Sequence, residues 1–261
     1  MTIRVNQRSI KPLTPRERVR RALAHQEVDR PPIDLGGTQN STMCAGAYAA
    51  FTRHLGIATP VRLLSRVFNT VQMDEAVLAR LPADTRGIYA RPPATGGARV
   101  LDEWTLVDEW GVTYRRPPGG AQYDPIMHPL AEATIGDLDR YGWPDVEDPS
   151  RYAGLADLAA DLRTNTDYAL CGSTNDTVIF DKAWQLRGMQ RFLEDLLADP
   201  DFALALLERV ADVQCRRQEA FLRAVGPYVD VVLFADDMGT QRGPLLRPAL
   251  YRRMVKPFHR R

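Results

Sequence analysis

Residues 229–248, VDVVLFADDMGTQRGPLLRP, limit what this chain can fold into more than any other stretch. They open on an apolar run of β-branched and aromatic residues, 229–235, interrupted only by Asp230, and turn abruptly into Asp236, Asp237, Gly239, Thr240 and Gln241. Such a run predicts a strand buried on both faces, the kind that parallel sheets use when helices cover both sides. Ligands in those sheets gather just past the carboxyl ends of the strands. Asp236 and Asp237 are therefore an acidic candidate pair and Gln241 a substrate-orienting candidate. The plainer alternative is that the acids solvate the strand end or cap the next turn. Successive side chains on a strand point to opposite faces, so at most one of the two aspartates can face a cleft.

The rest of the chain repeats this pattern. Thr14, Pro15 and Glu17 make a capping box with proline at the first helical position, which starts a helix. Its Val19, Ala22 and Leu23 face inward, and Arg16, Arg18, Arg20 and Arg21 form a face expected to be solvated. Pro31 and Pro32 stop it. Residues 33–35 predict a short strand running into GGTQNS, 36–41, where two glycines before four polar residues suggest backbone held open beside a ligand; Asn40 is the candidate there, with an ordinary exposed loop as the alternative. Residues 45–55 have helical spacing ended by Gly56, and 61–81 continue as helix.

ADTRGIYA, 83–90, predicts a second strand with Asp84 and Arg86 at one end, or a surface ion pair between them. Residues 101–116, LDEWTLVDEWGVTYRR, alternate with period two around a charged break, which predicts an antiparallel hairpin inserted into a parallel architecture. His128 stands beside a proline and is assigned no chemistry. YALCG, 168–172, predicts a third strand ending in STND, which makes Asn175 a candidate substrate-binding residue. Helices are expected over 151–163, 177–187 and 189–198, followed by a longer one capped by Asp199 and Pro200, with Phe202, Leu206, Val210 and Val213 as its buried stripe.

Composition narrows the function classes. Lys plus Arg numbers 34 against 33 Asp plus Glu, a net charge of +1 with no field to gather nucleic acid or an anionic membrane. No apolar leader and no bilayer-length apolar run is present, which points to a cytoplasmic protein. The three cysteines, Cys44, Cys171 and Cys215, are widely spaced without a neighbouring histidine, so free thiols and no metal site are expected. Strands alternating with helical crossovers indicate an α/β fold in one domain over residues 1–261, either a (β/α) barrel or an open doubly wound sheet. Neither G-x-G-x-x-G nor the phosphate loop G-x-x-x-x-G-K-[ST] occurs.

The blocks LTPRERVRRALAHQEVDRPPIDLGG, DEWGVTYRRPPGGAQYDPIMHPLA, DLDRYGWPDVEDPSR, KAWQLRGMQRFLEDLLADP and FADDMGTQRGPLLRPALYRRMVKPFHRR resemble, in order, the uroporphyrinogen decarboxylase superfamily, specifically its decarboxylase-like branch that includes methylcobalamin:coenzyme M methyltransferases. The resemblance implies a (β/α)8 TIM barrel with its active site at the carboxyl ends of the strands. Strands near 33, 86, 170 and 232 supply half of the eight that closure needs, so the expectation is an amino-terminal half-barrel carrying a β-hairpin insertion, in a chain truncated after the fourth strand.

Roles follow from the resemblance position by position. In the decarboxylases an aspartate ending the second strand stabilises the protonated pyrrole intermediate, and Asp84 is the matching residue, the first catalytic candidate beside Asp237 and Asp236. The arginine-bearing motif that grips the substrate carboxylates is replaced here by GGTQNS, and the motif's tyrosine falls at Phe180. Both departures turn away from uroporphyrinogen itself. The methyltransferase branch holds zinc through His-x-Cys on the fifth strand and a later cysteine; none of those ligands is visible in this chain, so zinc and a corrinoid are implied only for the intact protein. Three functions follow: a corrinoid-linked methyltransferase acting on a small molecule, with a corrinoid protein as partner; a cofactor-free decarboxylase of a tetrapyrrole or another carboxylated substrate; or an inactive, binding-only scaffold. Asn40, Asn175 and Gln241 are the substrate-binding candidates in either enzyme.

Overall fold

The structure is a computed structural model that describes residues 12–176 and 178–261. Its elements, in chain order, are α1 (Pro15–Leu23), α2 (Ala45–Leu55), β1 (Arg62–Ser65), β2 (Thr70–Gln72), α3 (Glu75–Leu78), β3 (Thr85–Tyr89), β4 (Arg99–Val100), β5 (Thr105–Val107), β6 (Thr113–Arg115), β7 (Asp124–Met127), α4 (Ile135–Leu138), α5 (Leu155–Asn165), β8 (Ala169–Ser173), α6 (Phe180–Arg187), α7 (Met189–Ala198), α8 (Pro200–Val225), β9 (Val231–Val232), β10 (Gly239–Thr240), β11 (Gly243–Pro244), α9 (Pro248–Met254) and α10 (Lys256–His259).

A parallel sheet in the order β3-β8-β9 positions everything else. Its middle strand, β8, is buried at every residue, as a strand must be when helices cover both faces. The crossover from β8 to β9 runs through α6, α7 and the 26-residue α8. Asp199 caps it by accepting from the Phe202 N–H, Pro200 fixes the first turn, and Phe202, Leu206, Val210 and Val213 are all buried, as the spacing predicts. The Phe221 ring of α8 lies on the sheet where β8 has Gly172: a Cβ there would stand 3.0 Å from the ring. Phe221 is fully buried, and truncating such a ring costs roughly 3–5 kcal/mol.

The predicted hairpin exists, as β5 and β6 within a four-stranded antiparallel sheet β4-β5-β6-β7. Leu106, Trp110, Val112 and Tyr114 point into the main core, formed with α6, α7 and α8, while Trp104 stays exposed. The helix expected from Thr177 begins at Phe180; Thr177 itself lies outside the described residues.

Several expectations are corrected. Residues 61–81 form the antiparallel hairpin β1-β2 and the short α3, not continuous helix: Asn69 adopts φ +52 at the turn, Val71 from β2 and Val77 and Leu78 from α3 cluster with Tyr48 of α2, and Val67 packs against the main core instead. The α1 arginine face is only half solvated: Arg20 and Arg21 are exposed, as expected, while Arg16 and Arg18 turn inward. Arg18 is 6% exposed and binds Asp29 and Asp84, and Arg16 donates to the carbonyls of Tyr168 and Thr166, so this face seals the amino end of the sheet. Residues 33–35 are not a regular strand, although the Asp84 N–H donates to the Ile33 carbonyl beside β3. The 229–235 run is an edge and not a strand buried on both faces: β9 is half-buried and Phe234 is 53% exposed, because among the described residues no strand pairs on its far side. No closed barrel is present among the described residues. None of their helices is long and apolar enough to cross a membrane.

Candidate functional site

Past the carboxyl ends of β3 and β8 lies a cleft of about 180 Å³. Three segments build it. The chain leaving β3 supplies Ala90 and Arg91, the chain leaving β8 supplies Thr174, Asn175 and Asp176, and the β5–β6 hairpin reaches over with Asp108, Glu109 and Trp110. Helices complete the floor with Lys182 and Gln185 from α6 and Arg217 from α8.

The hairpin tip is held by its own chemistry. Asp108 Oδ1 accepts the N–H groups of Trp110 and Val112, each at 2.9 Å, which folds DEWGV into a tight turn and aims the Trp110 indole inward. That indole donates to Asp176 at 3.2 Å. Asp176 also receives Arg217 at 2.6 Å and Gln214 at 3.3 Å, and Lys182 at 3.2 Å on its other oxygen. Lys182, 3% exposed, lies 3.6 Å from Asp108 and 5.2 Å from the centre of the Trp110 ring. Arg217 bridges onward to Glu109 at 2.5 Å, and Glu109 pairs with Arg151.

Charges this deeply buried persist only when matched. Burial pushes Asp176 up, but Lys182 and Arg217 outweigh it and hold the carboxylate below its ordinary range. Asp108 goes the other way: burial raises it, the Asp176 charge adds to the rise, and Lys182 offsets only part. Burial likewise raises the Tyr114 hydroxyl, with Asp108 and Asp176 adding to it; that hydroxyl donates to Gln185 at 3.1 Å. Two neighbouring carboxylates with oppositely shifted affinities for a proton are a means of moving one. Fixed cations behind them supply a preorganised field for developing negative charge.

The six sequence candidates do not converge. Asn175 lies in the cleft at φ +59, its Nδ2 donating to the Leu64 carbonyl. Asp84 does not reach it. It precedes β3 and sits at the amino end of the sheet, fully buried, accepting from Arg18 at 2.5 Å, from Arg30 at 2.7 and 2.8 Å and from the Ile33 N–H at 2.8 Å. Every acceptor direction is used, so Asp84 is a structural tie and not a carboxylate in a carboxyl-end cleft. Asp236 accepts the N–H groups of Ile179, Phe180 and Asp181 at 2.9–3.0 Å and the His259 ring at 2.8 Å, so it caps the start of α6 and ties down α10. It lines a separate groove of about 920 Å³ beside the open side of β9. Asp237 and Gln241 are exposed in the β9–β11 connection, where Asp237 Oδ1 accepts from Gly239. Asn40 is exposed, and its loop folds on itself: Gly37 packs so tightly that a Cβ would lie 2.4 Å from Thr85 and Asp34. The glycine there permits close packing, not ligand access.

Sequence reasoning missed Asp108, Glu109, Asp176, Lys182 and Arg217. Two signals were present: the charged break DEWG at the hairpin tip, and Lys182 as one of only three lysines in a chain whose cations are otherwise arginines.

Compared with known proteins, the chain matches no family model and no curated protein sequence. Among solved structures its fold is similar to that of a methyltransferase from Methanosarcina mazei, with a TM-score of 0.52 and 16% identity, over 94% of this chain and 65% of that one. The chain thus spans just under two thirds of that enzyme's length. What the two share at this identity is the mixed α/β fold.

Proposed function

We propose that the protein is a methyltransferase-type enzyme, related to the corrinoid-linked branch of the uroporphyrinogen decarboxylase superfamily, whose small-molecule acceptor binds in the cleft past β3 and β8. The likeness of fold to a methyltransferase carries this proposal. The charged cleft, in the place where parallel sheets bind ligands, supports the position of the site.

A methyl acceptor must lose a proton as its nucleophile attacks. Asp108, poised above the ordinary carboxylate range, takes that proton, while Lys182 and Arg217 hold Asp176 ionised and steady the negative charge that develops. At about 180 Å³ the cleft is smaller than the roughly 300–1,000 Å³ of typical ligand pockets. It admits a small acceptor and not a corrinoid macrocycle, so that donor arrives from outside, on a partner protein. A zinc ion does not fit the residues described. No three His, Cys, Asp or Glu among them are grouped to hold a metal, and Cys171 is a buried thiol pushed up to about 12 by burial. No step is routed through zinc.

The test is transfer of an isotope-labelled methyl group from methylcobalamin to a panel of small thiols, alcohols and amides, with Lys182→Met as the comparison. The expected result is a labelled product that falls by roughly 100-fold in the variant, the scale seen when one preorganised charge donor is removed. Carbon dioxide from a carboxylated tetrapyrrole without methyl transfer would select the decarboxylase instead, and neither product would select a binding scaffold.

A further inference from the structure

The Tyr114 hydroxyl stands between two acceptors, Gln185 Oε1 at 3.1 Å and Asp108 Oδ2 at 3.3 Å. A phenol has one proton to donate, so it satisfies one of them at a time. Which one is decided at Asp108. Its Oδ1 already accepts the Trp110 and Val112 N–H groups, so a proton taken up by this carboxyl goes to Oδ2, the oxygen that faces Tyr114. The protonated carboxyl then donates to the Tyr114 oxygen, and the Tyr114 O–H turns to Gln185 Oε1. The ionised carboxylate instead takes the Tyr114 O–H, which leaves the phenol oxygen to accept.

The Gln185 carboxamide can meet both states. Turned one way it offers Oε1 to the phenol O–H; turned the other way it donates from Nε2 to the phenol oxygen. Nε2 has no hydrogen-bond partner among the described residues and is not shut away from water, so nothing described fixes one orientation, and a turn puts Oε1 in the place of Nε2. Gln185 lines the cleft, so the turn exchanges a donor for an acceptor there.

The charges around the three residues stay where they are in this exchange. Lys182 of α6 lies 3.2 Å from Asp176, which follows β8, and 3.6 Å from Asp108. Arg217 of α8 is held between Asp176 and Glu109. Asp181 acts on Tyr114, and Asp108 on Tyr141, through charge alone. His128 Nδ1 meets the Gln185 backbone carbonyl at 2.7 Å and not its amide. Burial lets Asp108 keep its proton above the ordinary carboxylate range.

We propose that Tyr114 is a positioning residue: its single O–H turns the Gln185 carboxamide each time Asp108 gains or loses a proton. This describes regulation of the cleft proposed above as the reaction site and rests on that proposal, but the coupling can be read without turnover.

The test is a titration of the whole chain by nuclear magnetic resonance, from about pH 4 to pH 8, following the Asp108 carboxyl carbon and the Gln185 side-chain amide together. In wild type the Gln185 resonance should move with the Asp108 midpoint. In Tyr114→Phe, with the fold intact by circular dichroism, Asp108 should still titrate and the Gln185 movement should be lost; a direct effect of the Asp108 charge on Gln185 would survive that change. Asp108→Asn, whose Nδ2 donates to the phenol oxygen as the protonated carboxyl does, should hold the Gln185 resonance at the acid limit of wild type at every pH. A Gln185 resonance that ignores Asp108 in wild type, that still follows it in Tyr114→Phe, or that sits at its neutral-pH position in Asp108→Asn overturns the proposal, and the last of these decides the matter where Tyr114→Phe does not fold. Coupled titration without methyl transfer keeps the switch and discards the reaction. Methyl transfer with an uncoupled Gln185 does the reverse.

Discussion

Replacing Asp84 with alanine separates a structural carboxylate from a catalytic one. The side chain is fully buried and accepts four hydrogen bonds, three from the guanidinium groups of Arg18 and Arg30 and one from the Ile33 N–H. Removing one partner of a buried ion pair costs roughly 3–5 kcal/mol, because the other charge is left unmatched. Arg18 keeps Asp29 and the Arg30 side chain is 38% exposed, so the lower end applies, about 3 kcal/mol. At roughly 2–4 °C per kcal/mol for a domain of this size, Tm should drop by about 6–12 °C. The pH dependence has a definite sign. Burial raises the Asp84 pKa, but the Arg30 hydrogen bonds, the Ile33 N–H and Arg18 outweigh it, so the folded value lies below the unfolded one. The stabilisation is therefore complete above the ordinary carboxylate pKa and disappears as pH falls through the depressed folded value. Thermal unfolding of wild type and variant from neutral pH down to about pH 3 reads both effects: a wide gap at pH 7 that closes on acidification. An unchanged Tm together with lost methyl transfer would refute the structural assignment and return Asp84 to the chemistry.

Three further outcomes follow from the same physics. For Asp108→Asn the sign reverses: its folded pKa is raised, chiefly by burial, so the wild type loses stability relative to the variant as pH climbs from the ordinary carboxylate value to the raised one, and a difference in Tm that stays flat across that range would contradict the shift. Asp236→Ala strips the acceptor from the N–H groups of Ile179, Phe180 and Asp181, so deuterium uptake should rise at those amides and across α10, with a loss of about 1–3 kcal/mol; unchanged uptake would remove Asp236 as a clasp. Cys171, buried and with its thiol pushed up to about 12, should resist iodoacetamide at pH 8 while the half-buried Cys44 reacts and Cys215, half-buried with a thiol that burial also raises, falls between them; early labelling of Cys171, read by peptide mass, would contradict its burial.

Local chemistry made much of the fold legible. Thr14 and Glu17 cap α1 reciprocally, Gly56 ends α2 in the left-handed region, and the Phe202 to Val213 stripe buries α8 as its spacing requires. What the sequence concealed was long-range. The α1 arginines look like any solvated helix face until Asp29, Asp84 and Asp230 are brought beneath them by chain segments far away in sequence. Asp84 looked catalytic because a family position fell on it, but its place before β3 sets it at the amino end. Asn175 was found because polar residues after a buried strand mark the carboxyl end. Lys182 and Arg217 were hidden inside helices whose apolar stripes drew the attention, and only the hairpin folding over them shows what they neutralise.

The central claim is that small reactants meet past the carboxyl ends of β3 and β8. The most direct measurement is chemical-shift mapping of the whole chain with a methyl acceptor that it turns over. The account predicts perturbations at Thr174, Asn175 and Asp176, at the Trp110 indole N–H that donates to Asp176, and at Arg217. Perturbations confined to Arg18, Arg30 and Asp84, or to Asp236 and the groove beside β9, would contradict it.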